Sequence, residues 1–113
     1  MNTQSSTETE IKTLLADLWK NHLPTTRERL DVLELAARSA KDGGILETQR
    51  EEAQSVAHKL AGNLGMFGHK HAGEVASEIE EILKQPTSEE LRQLPELTRQ
   101  LREMLAPYLT SAA

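Results

Sequence analysis

The residues best suited to chemistry lie in one stretch, Ala57-His58-Lys59-Leu60-Ala61-Gly62-Asn63-Leu64-Gly65-Met66-Phe67-Gly68. On a helix turning about 100° per residue, Ala53, Leu60 and Leu64 mark the apolar stripe, and His58 falls about 140° from it, toward solvent. Ala61, Gly62 and Gly65 share that side, with Gln54, Ser55 and Glu51 one or two turns earlier. A glycine inside a helix costs about 1 kcal/mol relative to alanine. Two of them beside one exposed histidine leave a bare surface where long solvated side chains would normally stand, and a bare surface lets another molecule approach the imidazole closely. Neutral imidazole is a good nucleophile near pH 7 and can take a phosphoryl group and hand it on. Such transfer depends mostly on positioning and electrostatics, so a partner can supply the metal and the acidic residues. A phosphorylated His58 would carry added negative charge and call for a cation nearby. Read from the helical wheel alone, His58 is equally a plain surface residue, and the glycines could mark a close helix crossing.

The remaining candidates are weaker. His69 and His71 are two apart, whereas a metal pair on a helix wants a spacing of three or four. No metal site is therefore expected. His22 is read at a helix end, where a histidine complements the dipole. Glu78, Glu80 and Glu81 read as a solvated face, Trp19 as packing, and Met66 and Phe67 as core or the rim of a partner surface. The chain has no cysteine, which excludes disulfides, thiolate catalysis and Cys-ligated zinc. Neither a Walker-type phosphate loop nor a kinase-like motif set is present, so ATP-dependent kinase activity is not expected. A net charge of −5, with no Lys/Arg run against it, argues against nucleic acid. Apolar runs are too short to span a bilayer and no signal peptide follows Met1, which fits a cytoplasmic protein.

These residues must be positioned by helices. The 113-residue chain is rich in Leu, Ala and Glu and carries one Trp, one Phe and one Tyr, a composition that favours helix over strand. Residues 1–6 read as a flexible tail and residues 7–110 as one domain. Thr7 and Glu10 suggest a capping box opening a helix over about 8–22, with Ile11, Leu14, Leu15 and Leu18 on one face. Pro24 is expected to end it. A second helix from about Thr25 reaches Lys41, and Asp42-Gly43-Gly44 is a turn. A third runs from about Leu46 toward Phe67 and a fourth from Lys70 to Gln85. Thr87 and Glu90 suggest another capping box. The last helix carries Leu91, Leu94, Leu97, Leu101, Leu105 and Tyr108, with Pro95 implying a kink or a fresh start. Short linkers make neighbours antiparallel. The expected fold is all-α, an antiparallel four-helix bundle with an additional N-terminal helix.

The His58 stretch resembles the signature of histidine phosphotransfer domains, the HPt modules of bacterial two-component relays. That signature has the phospho-accepting histidine, an aliphatic residue two places on, and glycines four and ten places on. Here these are His58, Leu60, Gly62 and Gly68. The resemblance implies a monomeric carrier in which His58 exchanges a phosphoryl group with an aspartate of a receiver domain, in a response regulator or a hybrid sensor kinase. It implies no cofactor on this chain, with Mg2+ on the receiver. It also implies a docking surface of Gln54, Ser55, Ala61, Gly62 and Gly65. One departure stands out. The family usually has lysine three residues after the histidine, and this chain has Ala61. Lys59 and Lys70 are the candidate phosphate-stabilising cations in its place. The departure keeps a second reading open, a helical adaptor or dimerisation module without phosphotransfer.

Overall fold

Pro24 does not end the first helix. In the computed structural model, which describes residues 3–110, α1 runs unbroken over Thr3–Ser39 with Pro24 inside it. The expected N-terminal helix and first bundle helix are therefore one element. An interior proline removes a hydrogen bond and crowds the preceding turn, at about 3 kcal/mol. The helix survives because both flanks are held. Before the proline, Trp19 is packed against the core and Leu23 is buried; after it, Thr26 and Leu30 are buried. Pro24 itself is on the exposed side, where water can reach the carbonyl freed by the missing N–H. Thr26 Oγ1 donates to the His22 carbonyl at 3.1 Å, within the same disturbed turn.

The early start of α1 changes two further expectations. Thr7 lies inside the helix, so it does not form an N-terminal capping box with Glu10. Of the segment 1–6 expected as a flexible tail, residues 1 and 2 lie outside the described residues and residues 3–6 belong to α1. Among the described residues the first fully buried side chain is Leu23, whereas Ile11, Leu14 and Leu18 remain exposed. The first half of α1 thus extends beyond the bundle. At 1.5 Å per residue, 37 residues span about 55 Å, which accounts for the 59 Å long axis.

A 3-10 turn over Ala40–Asp42 follows, and then α2, Glu47–Met66. Next come α3, Lys70–Lys84, the single turn α4, Ser88–Leu91, and α5, Leu94–Leu105, with a 3-10 turn over Ala106–Tyr108. Among the described residues there is no strand. The second expected capping box is present: Glu90 N donates to Thr87 Oγ1 at 3.1 Å, and Thr87 N donates to Glu90 Oε1 at 3.2 Å. Pro95 opens α5 within its first turn, where a missing N–H costs nothing, so the chain makes a fresh start there and not a kink.

The helices close into a ring in which α1 and α3 each pack on both α2 and α5. Neighbours are antiparallel. Arg50 near the start of α2 reaches the Leu83 carbonyl near the end of α3, and Leu64 near the end of α2 lies by Gly73 near the start of α3. Likewise Arg102 of α5 meets Asp31 and Glu34 of α1, while Trp19 meets Tyr108. Leu30 and Leu33 (α1), Leu60 and Leu64 (α2), Ile79 and Leu83 (α3), and Leu94, Leu101 and Leu105 (α5) fill the centre. Each such side chain contributes about 1.5–3 kcal/mol by leaving water.

Candidate functional site

Leu60 is fully buried and locks the rotation of α2 about its own axis. With Leu60 and Leu64 inward, His58 must face out, and its side chain is 73% exposed. The local turn is set by the far end of the helix. Gly68 has φ +85°, a left-handed conformation that other residues rarely adopt. His69 N donates to the Leu64 carbonyl at 2.8 Å and Gly68 N to the Gly65 carbonyl at 3.1 Å, the two bonds of a Schellman closure. Gly68 therefore stops α2 and turns the chain into α3. This turn lays α3 antiparallel beside the His58 face.

α3 delivers a partner for His58. Nδ1 of His58 lies 2.9 Å from Oε2 of Glu80, whose side chain is only 17% exposed. An ionised carboxylate can only accept, so Nδ1 must carry the proton and donate it. In the neutral ring this leaves the lone pair on Nε2. Glu80 was read in the sequence as part of a solvated acidic face. Glu78 and Glu81 are exposed, but Glu80 is not a bystander. The helical wheel hid it because a wheel treats one helix at a time. Antiparallel pairing through a short turn was the available signal, since His58 precedes Gly68 by ten residues and Glu80 follows it by twelve.

A shallow groove between α2 and α3 is lined by Glu51, Gln54, Ser55, His58 and Glu80. Gln54 is held in place: its Oε1 accepts from Arg50 Nη1 at 2.9 Å. Arg50 is itself fastened to Glu47 and to the Leu83 carbonyl, so it is committed to joining α2 and α3. Past His58, a Cβ built on Gly62 or Gly65 would meet nothing within 4 Å. The two glycines therefore do not mark a helix crossing; the surface there is open. Ala61 is partly buried against the core, so it borders this surface more than it lies on it. The crossing is made by Gly73 of α3, whose added Cβ would sit 3.4 Å from the Ala61 carbonyl and 3.5 Å from Gly65 N. Gly73 was missed in the sequence because nothing in α3 alone requires a small residue there.

The two candidate lysines fall in different places. Lys59 is exposed and does not line the groove. Lys70 begins α3 and lines a separate groove with Gly68, His69, His71, Ala72, Met104 and Tyr108. It is ten residues from Glu80, about 15 Å along the helix, and the structure does not bring it to His58.

The other histidines serve elsewhere. His69 lies between Trp19 and Tyr108, with ring centroids 4.6 Å from each. Burial pushes its pKa below the ordinary histidine value. His22 is not at a helix end, because α1 continues through Pro24. Its ring faces Phe67 at 5.9 Å, and burial, helped by the neighbouring Arg29 charge, lowers its pKa. Trp19 packs edge-on against Phe67 and donates from Nε1 to the Tyr108 carbonyl at 2.9 Å. His71 is exposed, 3.6 Å from Glu74. Among the described residues, no group of three His, Asp or Glu side chains could hold a metal ion, and no helix is long and apolar enough to cross a membrane.

Known proteins place this geometry in a family. The model of the Hpt domain matches residues 17–107, which takes in all four bundle helices and the His58–Gly68 stretch. Protein RcaC of Microchaete diplosiphon is 29% identical over 76 residues, covering 67% of this chain but 12% of that relative. The chain thus spans a small part of the relative's length. No solved structure matches it. With the match extending over most of its length, the chain belongs to the Hpt domain family.

Proposed function

We propose that this chain carries a phosphoryl group on His58 and exchanges it with the aspartate of a receiver domain in a two-component phosphorelay. Histidine phosphotransfer in phosphorelays is the chemistry of the family to which the chain belongs. One observation carries the assignment to His58: its Nδ1 is tied to Glu80 while the side chain as a whole is 73% exposed, on a helix whose Gly62 and Gly65 leave open space. The lone pair of a neutral ring held in this way points outward, as attack on an incoming phosphorus requires. Gln54, Ser55, Ala61, Gly62 and Gly65 form the surface on which the receiver docks. The receiver supplies the Mg2+ and the acidic residues that position the group in flight. Lys59, next to His58 in the chain, is the cation that supports the phosphoryl group from outside the groove.

The deciding experiment is incubation of the chain with receiver domains carrying radiolabelled phosphoryl groups. Label should appear on the wild-type chain and be absent from His58→Gln. Label on His58→Gln would overturn the assignment. A chain that takes no label from any receiver would favour the second reading, the adaptor without phosphotransfer, which Ala61 in the family's lysine position supports.

A further inference from the structure

The side chains that line the groove beside His58 carry charge of one sign; Arg50 stands behind them, 4.0 Å from Glu51 and bonded to Gln54, at the end of the groove committed to the α2–α3 junction. The lining includes two carboxylates, Glu51 and Glu80, and neither lysine nor arginine. Glu80 makes direct contact with the imidazole, 2.9 Å from Nδ1. Its neighbouring cation is Lys84, one turn on, whose ammonium is bound to Glu81 at 3.1 Å. At the position where the family usually offers a lysine stands Ala61. A phosphoryl group on Nε2 would bring about two further negative charges to this groove.

We propose that Glu80 is a positioning residue that makes the phosphorylated module a transit stage and not a store, by driving the phosphoryl group off His58 toward a receiver carboxylate. This rests on the phosphotransfer reading above. Loading begins when the Nε2 lone pair attacks phosphorus. The bond from phosphorus to the receiver's carboxylate oxygen breaks, and the carboxylate leaves with the electron pair. Nδ1 keeps its proton, shared with Glu80, so the phosphorylated ring is an imidazolium. In the onward step a carboxylate oxygen attacks phosphorus, the P–Nε2 bond breaks, and its electron pair returns to Nε2. The ring leaves as neutral imidazole.

The charge of Glu80 acts twice in this sequence. It stabilises the Nδ1–H imidazolium, and from that form the ring departs as neutral imidazole, a far better leaving group than the imidazolate that would otherwise depart. It also repels the phosphoryl oxygens. Both effects shorten the life of the loaded form. A neutral hydrogen-bond acceptor at this position would fix the ring equally well and do neither.

The test separates hydrogen bond from charge. Phosphoramidate, a small donor, loads the histidine without any partner, and decay is followed by phosphorus NMR. Glu80→Gln keeps an acceptor for Nδ1 and should lengthen the lifetime of the loaded form about three- to tenfold, as expected for removal of one adjacent, partly screened charge. It should also slow delivery to a receiver and leave more label on the chain at equilibrium. Glu80→Ala removes the tether as well, and should split phosphorylation between Nδ1 and Nε2. Equal lifetimes for wild type and Glu80→Gln, with normal delivery to a receiver, would overturn the role of Glu80 and leave the relay intact. A longer lifetime in Glu80→Gln with no receiver accepting label from either protein would overturn the relay reading and, with it, the transit role.

Discussion

Two histidines of the α2–α3 hairpin, one midway along α2 and one at the turn, show what surroundings do to one side chain. His58 sits mid-helix on an open face, with one ring nitrogen tied to a carboxylate and the other bare. His69 sits just past the turn with its ring between those of Trp19 and Tyr108, and burial disfavours its charged form. The first is left accessible and the second is held. All three aromatic residues of the chain gather at the second site, where they pin the long α1 and the end of α5 to the α2–α3 turn. The His58 face instead carries no aromatic residue and is left open at Gly62 and Gly65. The fold concentrates bulk where elements are gripped together and leaves the surface beside His58 open.

This contrast can be broken most sharply at the histidines themselves. His58→Gln should abolish phosphoryl acceptance while leaving the thermal midpoint within a degree or two, since an exposed side chain contributes little to stability. His69→Gln should do the reverse, keeping acceptance and lowering the midpoint. If both variants lost label equally, the division of labour would be wrong. Next in size is Gly65→Leu. The free protein has open space for the side chain, so the fold should survive, but transfer from a receiver should fall about tenfold or more as a bulky group holds the partner off. Normal transfer by Gly65→Leu would remove the bare surface from the mechanism.

At the aromatic end, Trp19→Ala should cost about 3 kcal/mol, at the low end of large aromatic truncations because Trp19 is only partly buried. Denaturant unfolding would measure it, and the rate of loading by phosphoramidate should stay unchanged. A smaller effect is set by pH. The folded pKa values of His69 and His22 lie below the unfolded value, so the unfolded chain binds more protons as pH falls. Their contribution to stability is complete above about pH 6.5 and is lost as pH falls through the folded values. Thermal midpoints should therefore drop between pH 7.5 and 5, and His69→Gln should flatten the drop. Lys59→Ala should give the smallest change, about a twofold shorter lifetime of loaded His58, as befits an exposed charge outside the groove.

Much of this was legible from residue order. The ends of α2 and α3, the Thr87–Glu90 capping box and the outward direction of His58 all follow from local periodicity and local hydrogen-bond chemistry, which the tertiary fold did not overrule. Pro24 is the counterexample. Its local signal says stop, but packing of Trp19 and Leu23 on one side and Thr26 and Leu30 on the other keeps the helix going. The face of Ile11, Leu14 and Leu18 shows a different limit. Its periodicity correctly marks a helix, yet those side chains remain exposed because α1 outruns the bundle.

The sequence by itself determined that the chain is helical, that His58 points outward from its helix, and that position 61 is alanine where the family usually has lysine. Those are properties of single helices, fixed by spacing at 3.6 residues per turn. Only the tertiary structure decided which residues of other elements reach that surface. It brought Glu80 to Nδ1, placed Gly73 behind Ala61 and kept Lys70 away. The reason is that the distance between two helices depends on how they cross and in what register, and both are set by the jointly buried side chains of the core and by the Gly68 turn that aligns α2 with α3.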